Sequence, residues 1–280
     1  MKVLFFINIK KKNAKNTAEK AGQILTSAGV ECFMGKKYAR FFENGCFQWL
    51  ENDQKGQFEF FISIGGDGTI MEVAKEAVAW NKPLLGINAG RLGFMAGLEA
   101  VELERLPNLL KGRYEEQNRM LLEVHHSSLR ESFLAVNDAV ITKPILNNVI
   151  DVSIECNKKR VIEYRADSVL FSTPTGSTAY ALSNGGPIAD PTLEFISMSP
   201  ICPHSLLSRT YIFEPQKQLS VHLGKGGLPT AHLLVDGRIA ANLDSLDKIT
   251  ISKSEKTLRL IMLHQRGFYQ VVGKKFIKDM

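Results

Sequence analysis

Cysteine is scarce in this sequence, and its cysteines are poorly placed to bind a metal or to form cross-links. Cys32, Cys46, Cys156 and Cys202 lie far apart in the 280 residues and form no C-x-x-C pair. Zinc sites and disulfide frameworks depend on characteristic cysteine spacings. The histidines also lack a ligand spacing such as H-x-x-x-H. We therefore predict reduced thiols and no set of metal ligands supplied by the protein.

Long apolar runs, internal repeats and low-complexity segments are missing as well. A helix that crosses a bilayer needs roughly 18 apolar residues or more, so the sequence predicts no membrane partner. The chain opens MKVLFFINIKKK, with lysines where a signal peptide would have a cleavage site of small residues. We expect a first strand there and, without an export signal, a cytoplasmic location.

Positive charge is in excess, but it is not concentrated anywhere. The formal net charge is +6, which favours anionic partners such as nucleotides. Because the excess forms neither a basic tail nor a stripe of basic and aromatic residues, we do not expect a nucleic-acid partner.

Strand-like and helix-like patterns alternate over residues 1–118. Strands are predicted over 3–9, 30–34, 58–64 and 83–88, and helices over 16–28, 39–50 and 70–80. Short apolar strands that alternate with helices are typical of a parallel sheet covered on both faces. The pattern predicts a doubly wound, Rossmann-like α/β domain.

The pattern changes at Arg119, after which short strand-like runs follow one another. Turn signals such as Asp236-Gly237 separate these runs. Many short strands with little helical periodicity predict a β-sandwich, here over residues 119–264. Residues 265–280 have a weak pattern, and we expect a C-terminal tail that packs back on the first domain.

The most informative stretch is GGDGT (65–69), directly after the third predicted strand. Its glycines and the helix start that follows can present backbone N–H groups to an anion. We predict that Gly65, Gly66, Gly68 and Thr69 bind the phosphates of a donor, and that Thr69 and Glu72 form a capping box.

Asp67 is unusual inside such a cradle because its charge repels phosphate. It is explained if it holds a divalent cation or accepts a proton from an attacking hydroxyl. The alternative is that Asp67 only orders a tight turn. Phe94, in the loop after the fourth predicted strand, either stacks on a base or covers the core.

A second informative stretch, TPTGSTAYALSNGGP (173–187), is rich in hydroxyl groups. Ser177 is placed to cap a short helix, and Tyr180 to stack on a ring. Hydroxyls and free N–H groups suit an adenine edge or a ribose, although a loop that caps a helix for stability alone explains the same residues. If Asp67, Asp138 and Asp167 converge, their repulsion raises at least one carboxyl pKa.

Together these stretches resemble the NAD kinase family. The resemblance rests on GGDGT, the G-x-LGF loop, Asn137-Asp138, residues 164–191 and 199–209, and VDGR (235–238), and it is weak over 255–280. It implies transfer of the γ-phosphoryl of ATP, or of a polyphosphate end, to the 2′-hydroxyl of the adenosine ribose of NAD. It also implies a divalent cation as cofactor and a homodimer or homotetramer.

The resemblance assigns Asp67 as the catalytic residue that activates the hydroxyl. The substrate-binding residues that it implies are Asp67, Gly68, Phe94, Asn137, Asp138, Asn148, Arg165, Asp167, Thr178, Ala179, Tyr180, Ala181, Leu182, Ser183 and Arg238. The sequence departs from the family pattern at Asp138, where Glu is frequent, and at Arg238, where Gln is usual. Ala166 and Ser168 replace the glycines that often flank Asp167.

Two other functions fit parts of the sequence. Lipid kinases carry GGDGT and sugar kinases a close variant, but no amphipathic membrane helix is evident here. A non-catalytic dinucleotide sensor would need the same pocket without the transfer.

Overall fold

The computed structural model describes residues 1–42, 45–50, 55–144, 149–205, 208–224, 230–264 and 266–276. The chain forms two compact units. Unit 1 contains Met1–Asn118 and Leu258–Met280, and unit 2 contains Arg119–Thr257. Over the described ranges, none of the helices has both the length and the apolar character needed to span a membrane.

Unit 1 begins with alternating strands and helices. Its strands are β1 (Lys2–Ile7), β2 (Glu31–Gly35), β3 (Gln48–Leu50), β4 (Phe60–Gly65), β5 (Leu84–Asn88) and β6 (Leu98–Glu99). The helices between them are α1 (Ala14–Ser27) and α2 (Asp67–Ala79), with 3₁₀ turns at Lys36–Phe41, Lys55–Gln57 and Leu103–Asn108.

The strands of unit 1 form a parallel sheet in the order β3-β2-β1-β4-β5, with β6 beside β5. The chain leaves β1 through α1 toward β2 and leaves β4 through α2 toward β5. The strand order therefore reverses between β1 and β4. In open α/β sheets, ligands bind outside the carboxyl ends of the strands at such a reversal, and this is where the GGDGT turn lies.

Burial explains why the central strands read as continuous apolar runs. Every residue of β4 is buried, as expected for a strand with both faces covered. Val3, Phe5, Ile62 and Ile87 belong to one apolar core that also includes Leu25 of α1.

The predicted helix over 39–50 is wrong. The described part of this segment is a short 3₁₀ turn followed by β3. Its aromatic residues serve a different purpose: Phe47 is buried, with ring-centroid distances of 5.1 Å to Phe5 and 5.4 Å to Phe42. The apolar spacing was helix-like, but tertiary packing of the rings determined the structure.

Unit 2 consists of antiparallel strands. They are β7 (Glu115–His126), β8 (Phe133–Ala135), β9 (Asp138–Thr142), β10 (Ile150–Cys156), β11 (Lys159–Ala166), β12 (Ser168–Ser172), β13 (Ile196–Ile201), β14 (Tyr211–Phe213), β15 (Leu219–Leu223), β16 (Thr230–Val235), β17 (Arg238–Asp244) and β18 (Lys248–Met262). Between β12 and β13 lie a 3₁₀ turn, Thr175–Thr178, and the short helix α3 (Tyr180–Ser183).

Two sheets enclose the core of unit 2. One has the order β14-β13-β12-β9-β16-β17. The other contains β11-β10-β15-β18, with β7 beside β18 and β8 beside β7. Side chains from both sheets form one apolar cluster, which includes Val124, Ile141, Val152, Phe171 and Leu233. This is the arrangement of a β-sandwich.

The second boundary between the units lies inside β18, between Thr257 and Leu258. The predicted boundary at 264 is therefore too late. The end of β18 pairs with β5 through Leu260 and Leu84, so this segment belongs to the sheet of unit 1. After it comes helix α4 (Phe268–Phe276), also in unit 1.

Truncation of Phe47 tests whether its ring holds this segment. Phe47→Ala removes a nearly buried aromatic side chain and is expected to lower the free energy of unfolding of unit 1 by about 3–5 kcal/mol. Both tryptophans of the chain, Trp49 and Trp80, lie in unit 1, so urea unfolding followed by tryptophan fluorescence measures the change. Val101→Ala, at a side chain 84% exposed, is the control and should change it by less than about 0.5 kcal/mol. Equal losses in the two variants would contradict the assignment.

Candidate active site

The GGDGT turn joins β4 directly to α2. Gly66 precedes the helix as its N-cap and Asp67 is its first residue, with no side-chain cap. The predicted capping box at Thr69 is therefore wrong, because the helix begins at Asp67, three positions before the predicted start at residue 70. Thr69 lies inside the helix, and its hydroxyl accepts a hydrogen bond of 3.3 Å from the side-chain amide of Asn8, directly after β1.

The carboxylate of Asp67 is fixed by backbone groups of the loop after β5. Oδ2 accepts a hydrogen bond from the Phe94 N–H at 2.9 Å, and Oδ1 accepts one from the Met95 N–H at 3.2 Å. Gly93 allows this approach, because a Cβ there would collide with the carboxylate. The side chain keeps 32% of its surface exposed. Both carboxylate oxygens of Asp67 are thus held by hydrogen bonds, and the side chain remains accessible.

A cavity of about 780 Å³ lies in unit 1 beside the start of α2. Its wall includes Asn8 and Lys10 after β1, Tyr38 after β2, and Thr69 and Glu72 of α2. Lys37 and Lys55 add further positive charge, and Lys55 is ion-paired with Glu76 at 2.7 Å. Of the predicted phosphate-binding residues, Thr69 lines this cavity. The three glycines lie next to it in the chain: Gly65 ends β4, Gly66 is the N-cap of α2, and Gly68 is in its first turn.

In unit 2, Asp236 organises the backbone around Asn137 and Asp138. It follows β16 in a turn with Gly237, and both residues have positive φ. Its Oδ1 accepts hydrogen bonds from the N–H groups of Val136, Asn137 and Asp138 at 3.1, 2.8 and 3.4 Å. The sequence predicts Asp236 only as part of the Asp236-Gly237 turn. The match of VDGR to the family pattern was the signal for a larger role.

Asp138 is almost completely buried at the start of β9. Burial, and secondarily the charge of Asp236, raises the pKa of Asp138 to about 7. The expected repulsion between Asp138 and Asp167 is not the cause. These residues flank opposite ends of β12, whose five residues span about 17 Å at the usual strand rise.

The loop that begins at Thr173 is held by hydrogen bonds to the backbone of Val136 and Asn137. The Thr173 hydroxyl donates to the Val136 carbonyl at 2.7 Å and accepts from the Gly176 N–H at 3.0 Å. The Thr173 N–H donates to the Asn137 carbonyl at 2.9 Å. Ser177 does not cap α3 as predicted. Its hydroxyl instead exchanges hydrogen bonds with the backbone of Ala189.

Several of the predicted substrate-binding residues that follow in this loop and in α3 remain accessible. Tyr180 is 46% exposed, and Ser183 is exposed too. Partly exposed are Thr178, Ala179 and Leu182. Ala181 is buried and packs against Val140 and Leu170, so it serves as an anchor for α3 rather than as a contact surface.

The other predicted residues of unit 2 lie elsewhere. The Lys143 ammonium is 2.6 Å from Asp167 Oδ1, and Arg165 Nε is 3.5 Å from Asp151 Oδ1. Arg165 and Asp151 also line a cavity of about 390 Å³. Arg238 is exposed at the start of β17, and Asn148 lies outside the described residues.

Comparison with known families gives matches over most of the chain. The family model described as the ATP-NAD kinase N-terminal domain matches residues 3–116. The model of the ATP-NAD kinase C-terminal domain matches residues 136–263. Both Asp67 and the 173–183 loop lie within the matched segments.

Individual relatives agree. The chain is 33% identical over 272 residues to an NAD kinase of Clostridium botulinum (strain Loch Maree / Type A3), which covers 96% of this chain and 94% of that protein. Yeast NADH kinase complexed with NADH has a similar structure, with a TM-score of 0.86 at 21% identity over 99% of this chain and 87% of that one. For the Archaeoglobus fulgidus NAD kinase in complex with ATP, the TM-score is 0.73 at 23% identity over 100% and 99% of the two chains. These likenesses confirm the predicted fold class.

The raised pKa of Asp138 predicts how stability depends on pH. The folded state binds this proton more tightly than the unfolded chain, whose carboxyl has the ordinary value near 3.8. The stabilisation is therefore complete below about pH 4 and is lost as the pH rises to about 7, with a slope of up to about 1.4 kcal/mol per pH unit.

Asp138→Asn should flatten this decline. Compared with the unsubstituted protein, the variant should therefore have a more favourable free energy of unfolding at pH 8 than at pH 5. Urea unfolding followed by far-UV circular dichroism at several pH values measures the effect. Asp167→Asn, at a partly exposed carboxylate, is the control and should keep the wild-type slope. An unchanged slope in Asp138→Asn would show that the carboxyl does not titrate in this range.

Proposed function

Because this chain belongs to the NAD kinase family and is an NAD kinase, we propose that Asp67 is the general base of its phosphoryl transfer. The 2′-hydroxyl of the adenosine ribose of NAD attacks the terminal phosphorus of the donor, and its proton passes to the Asp67 carboxylate. The bond between that phosphorus and the donor breaks, and the leaving phosphate keeps the electron pair. The products are NADP and, when ATP is the donor, ADP.

The observation that carries this proposal is the fixed and accessible carboxylate of Asp67. Phosphoryl transfer depends mainly on positioning and on charge neutralisation. The N–H groups of Phe94 and Met95 hold both carboxylate oxygens at the carboxyl end of the sheet. A carboxylate that only ordered the turn would hydrogen-bond within GGDGT. Asp67 instead reaches across to another loop and keeps a third of its surface exposed.

The acceptor is assigned to unit 2. We propose that Asn137, Asp138 and the exposed residues of 178–183 bind the adenosine part of NAD. Tyr180 offers a ring face for stacking. The raised pKa of Asp138 makes its carboxyl partly protonated near neutral pH, so it can donate as well as accept a hydrogen bond. The solved NADH kinase with NADH supports a dinucleotide as the acceptor.

The donor is assigned to the cavity of unit 1. Its volume of about 780 Å³ is in the usual range for small-molecule sites. Lys10 and Lys37 supply charge for the phosphates, and Tyr38 is available to a base. The ATP-bound structure of the Archaeoglobus fulgidus enzyme supports ATP as a substrate of this kind of fold.

A divalent cation is expected to assist. No three His, Cys, Asp or Glu side chains gather into a metal site within the ranges that the structure describes. Mg²⁺ is commonly held by one or two carboxylates together with substrate phosphates, and Asp67 can supply one carboxylate at this position. The cation would neutralise charge on the donor phosphates.

We propose a homodimer or homotetramer, located in the cytoplasm. Arg165 and Asp167 lie at the opposite end of β12 from Asp138. The predicted substrate-binding residues of unit 2 therefore form two separate groups within a single chain. The outer strands β14 and β17 expose Ile212 and Ile239, which are suitable for contact with another copy. Cross-linking and light scattering would determine the oligomer size.

The other functions receive less support. The matched families and relatives are NAD or NADH kinases, which does not favour a lipid or sugar acceptor. A sensor without transfer is not favoured either, because the named relatives are kinases. A panel of acceptors with labelled ATP would detect an unexpected substrate.

Replacement of Asp67 tests the general base directly. Asp67→Asn is expected to lower kcat by about 10²–10⁴-fold, because the amide cannot accept the proton. NAD binding, measured by calorimetry, should stay within a few fold. NADP formation in the presence of ATP and Mg²⁺ gives the rate. A variant with wild-type kcat would remove Asp67 from the mechanism.

The donor cavity makes a separate prediction. Lys10→Met and Lys37→Met should each raise the KM for ATP by about tenfold, as expected for loss of a hydrogen bond to a charged group. The KM for NAD should not change. Lys12→Met removes an exposed lysine of the same N-terminal run that does not line the cavity, and it is the matched control. Equal effects on the two substrates would show that the donor binds elsewhere.

A further inference from the structure

The chain after β18 is anchored next to the loop that holds Asp67. The N–H groups of Leu263 and His264 both donate to the Gly97 carbonyl, at 2.9 and 3.0 Å. Arg266 lies 3.4 Å from a carboxylate oxygen of Glu102. These contacts fix the point from which α4 starts, within unit 1.

Helix α4 packs its aromatic side chains on the ring of Phe94. Phe276 stacks on this ring at a centroid distance of 5.8 Å, and Phe268 approaches it at 6.0 Å. Phe94 is the residue whose N–H holds the Asp67 carboxylate. The Phe94 ring therefore already contacts Phe268 and Phe276 of unit 1, where stacking on a base was predicted. It provides the surface on which α4 packs.

This packing places Lys275 at Asp67. The Lys275 ammonium is 3.9 Å from Asp67 Oδ2 and 4.1 Å from the centroid of the Phe94 ring. Its side chain is 30% exposed, so a ligand can reach it. The preceding residue, Lys274, is exposed on the same helix.

Distances limit what else can lie near this ammonium during the reaction. A hydroxyl that gives its proton to Asp67 lies about 3 Å from the carboxylate, and the phosphorus that it attacks lies about 3–3.5 Å further. The transferred group therefore passes within about 6.5 Å of Asp67. A lysine side chain that already contacts the carboxylate can reach such a position by rotation about its flexible stem.

We propose that Lys275 is a further catalytic residue, whose ammonium binds oxygens of the phosphoryl group during transfer. This proposal rests on the proposed role of Asp67. As the 2′-oxygen forms its bond to phosphorus and the bond to the donor breaks, the hydroxyl proton goes to Asp67. The Lys275 ammonium neutralises negative charge on the phosphoryl oxygens.

The ion pair with Asp67 has a second consequence. It keeps the ammonium beside the carboxylate before substrates bind, so the positive charge need not be brought from solvent during the reaction. Such preorganised charge is effective in stabilising a transition state. The segment lies beyond the family-model matches, which end at residue 263, so this role comes from the structure of this chain.

Substitution of Lys275, with Lys274 as the matched control, tests the proposal on the full-length enzyme. Lys275→Ala is expected to lower kcat by about 10²–10³-fold, with NAD binding and the thermal midpoint unchanged. Lys275→Arg should retain much of the activity, because the charge is kept. Lys274→Ala should behave as the unsubstituted enzyme. Added methylammonium should restore activity to Lys275→Ala in proportion to its concentration, but not to Asp67→Asn.

The possible outcomes separate the two proposals. Full kcat in Lys275→Ala, or a loss that methylammonium does not restore, would overturn the role of Lys275. A rise in kcat would overturn it too, and would show that α4 inhibits the enzyme. If Asp67→Asn kept full activity, the proposed general base would fail, and the Lys275 proposal that depends on it would fail as well.

Discussion

The candidate site of unit 1 depends on the hydrogen bonds between the Asp67 carboxylate and the N–H groups of Phe94 and Met95. They join the turn after β4 to the loop after β5, at the point where the sheet reverses its strand order. A charged acceptor bound to two N–H groups forms stronger hydrogen bonds than a neutral one. The carboxylate therefore links the two loops and is itself held in a fixed orientation.

Unit 2 uses the same device with a different carboxylate. Asp236 accepts N–H groups of three successive residues, Val136, Asn137 and Asp138, and thereby sets the path of the chain into β9. The loop that begins at Thr173 then hydrogen-bonds to the same segment. Burial of Asp138 beside this carboxylate raises the pKa of Asp138. The geometry that orders the loop therefore also affects the protonation of a predicted substrate-binding residue.

Phe94 links the GGDGT turn to helix α4 near the end of the chain. Its backbone holds Asp67, while its face carries α4 and the ammonium of Lys275. The same residue therefore positions a negative and a positive group 3.9 Å apart. In the proposed mechanism, the carboxylate accepts a proton and the neighbouring ammonium neutralises charge on the transferred phosphoryl group.

The sequence by itself determined the alternation of elements over residues 1–118, the change to short strands at Arg119, and GGDGT and residues 173–187 as the chemically informative stretches. These follow from local periodicity and from motif residues. Only the tertiary structure showed that residues 39–50 are not a helix, that Asp138 and Asp167 do not converge, that Asp236 organises the Asn137 segment, and that Lys275 reaches Asp67. Each of these depends on contacts between residues far apart along the chain, and local pattern carries no information about which distant side chains will meet.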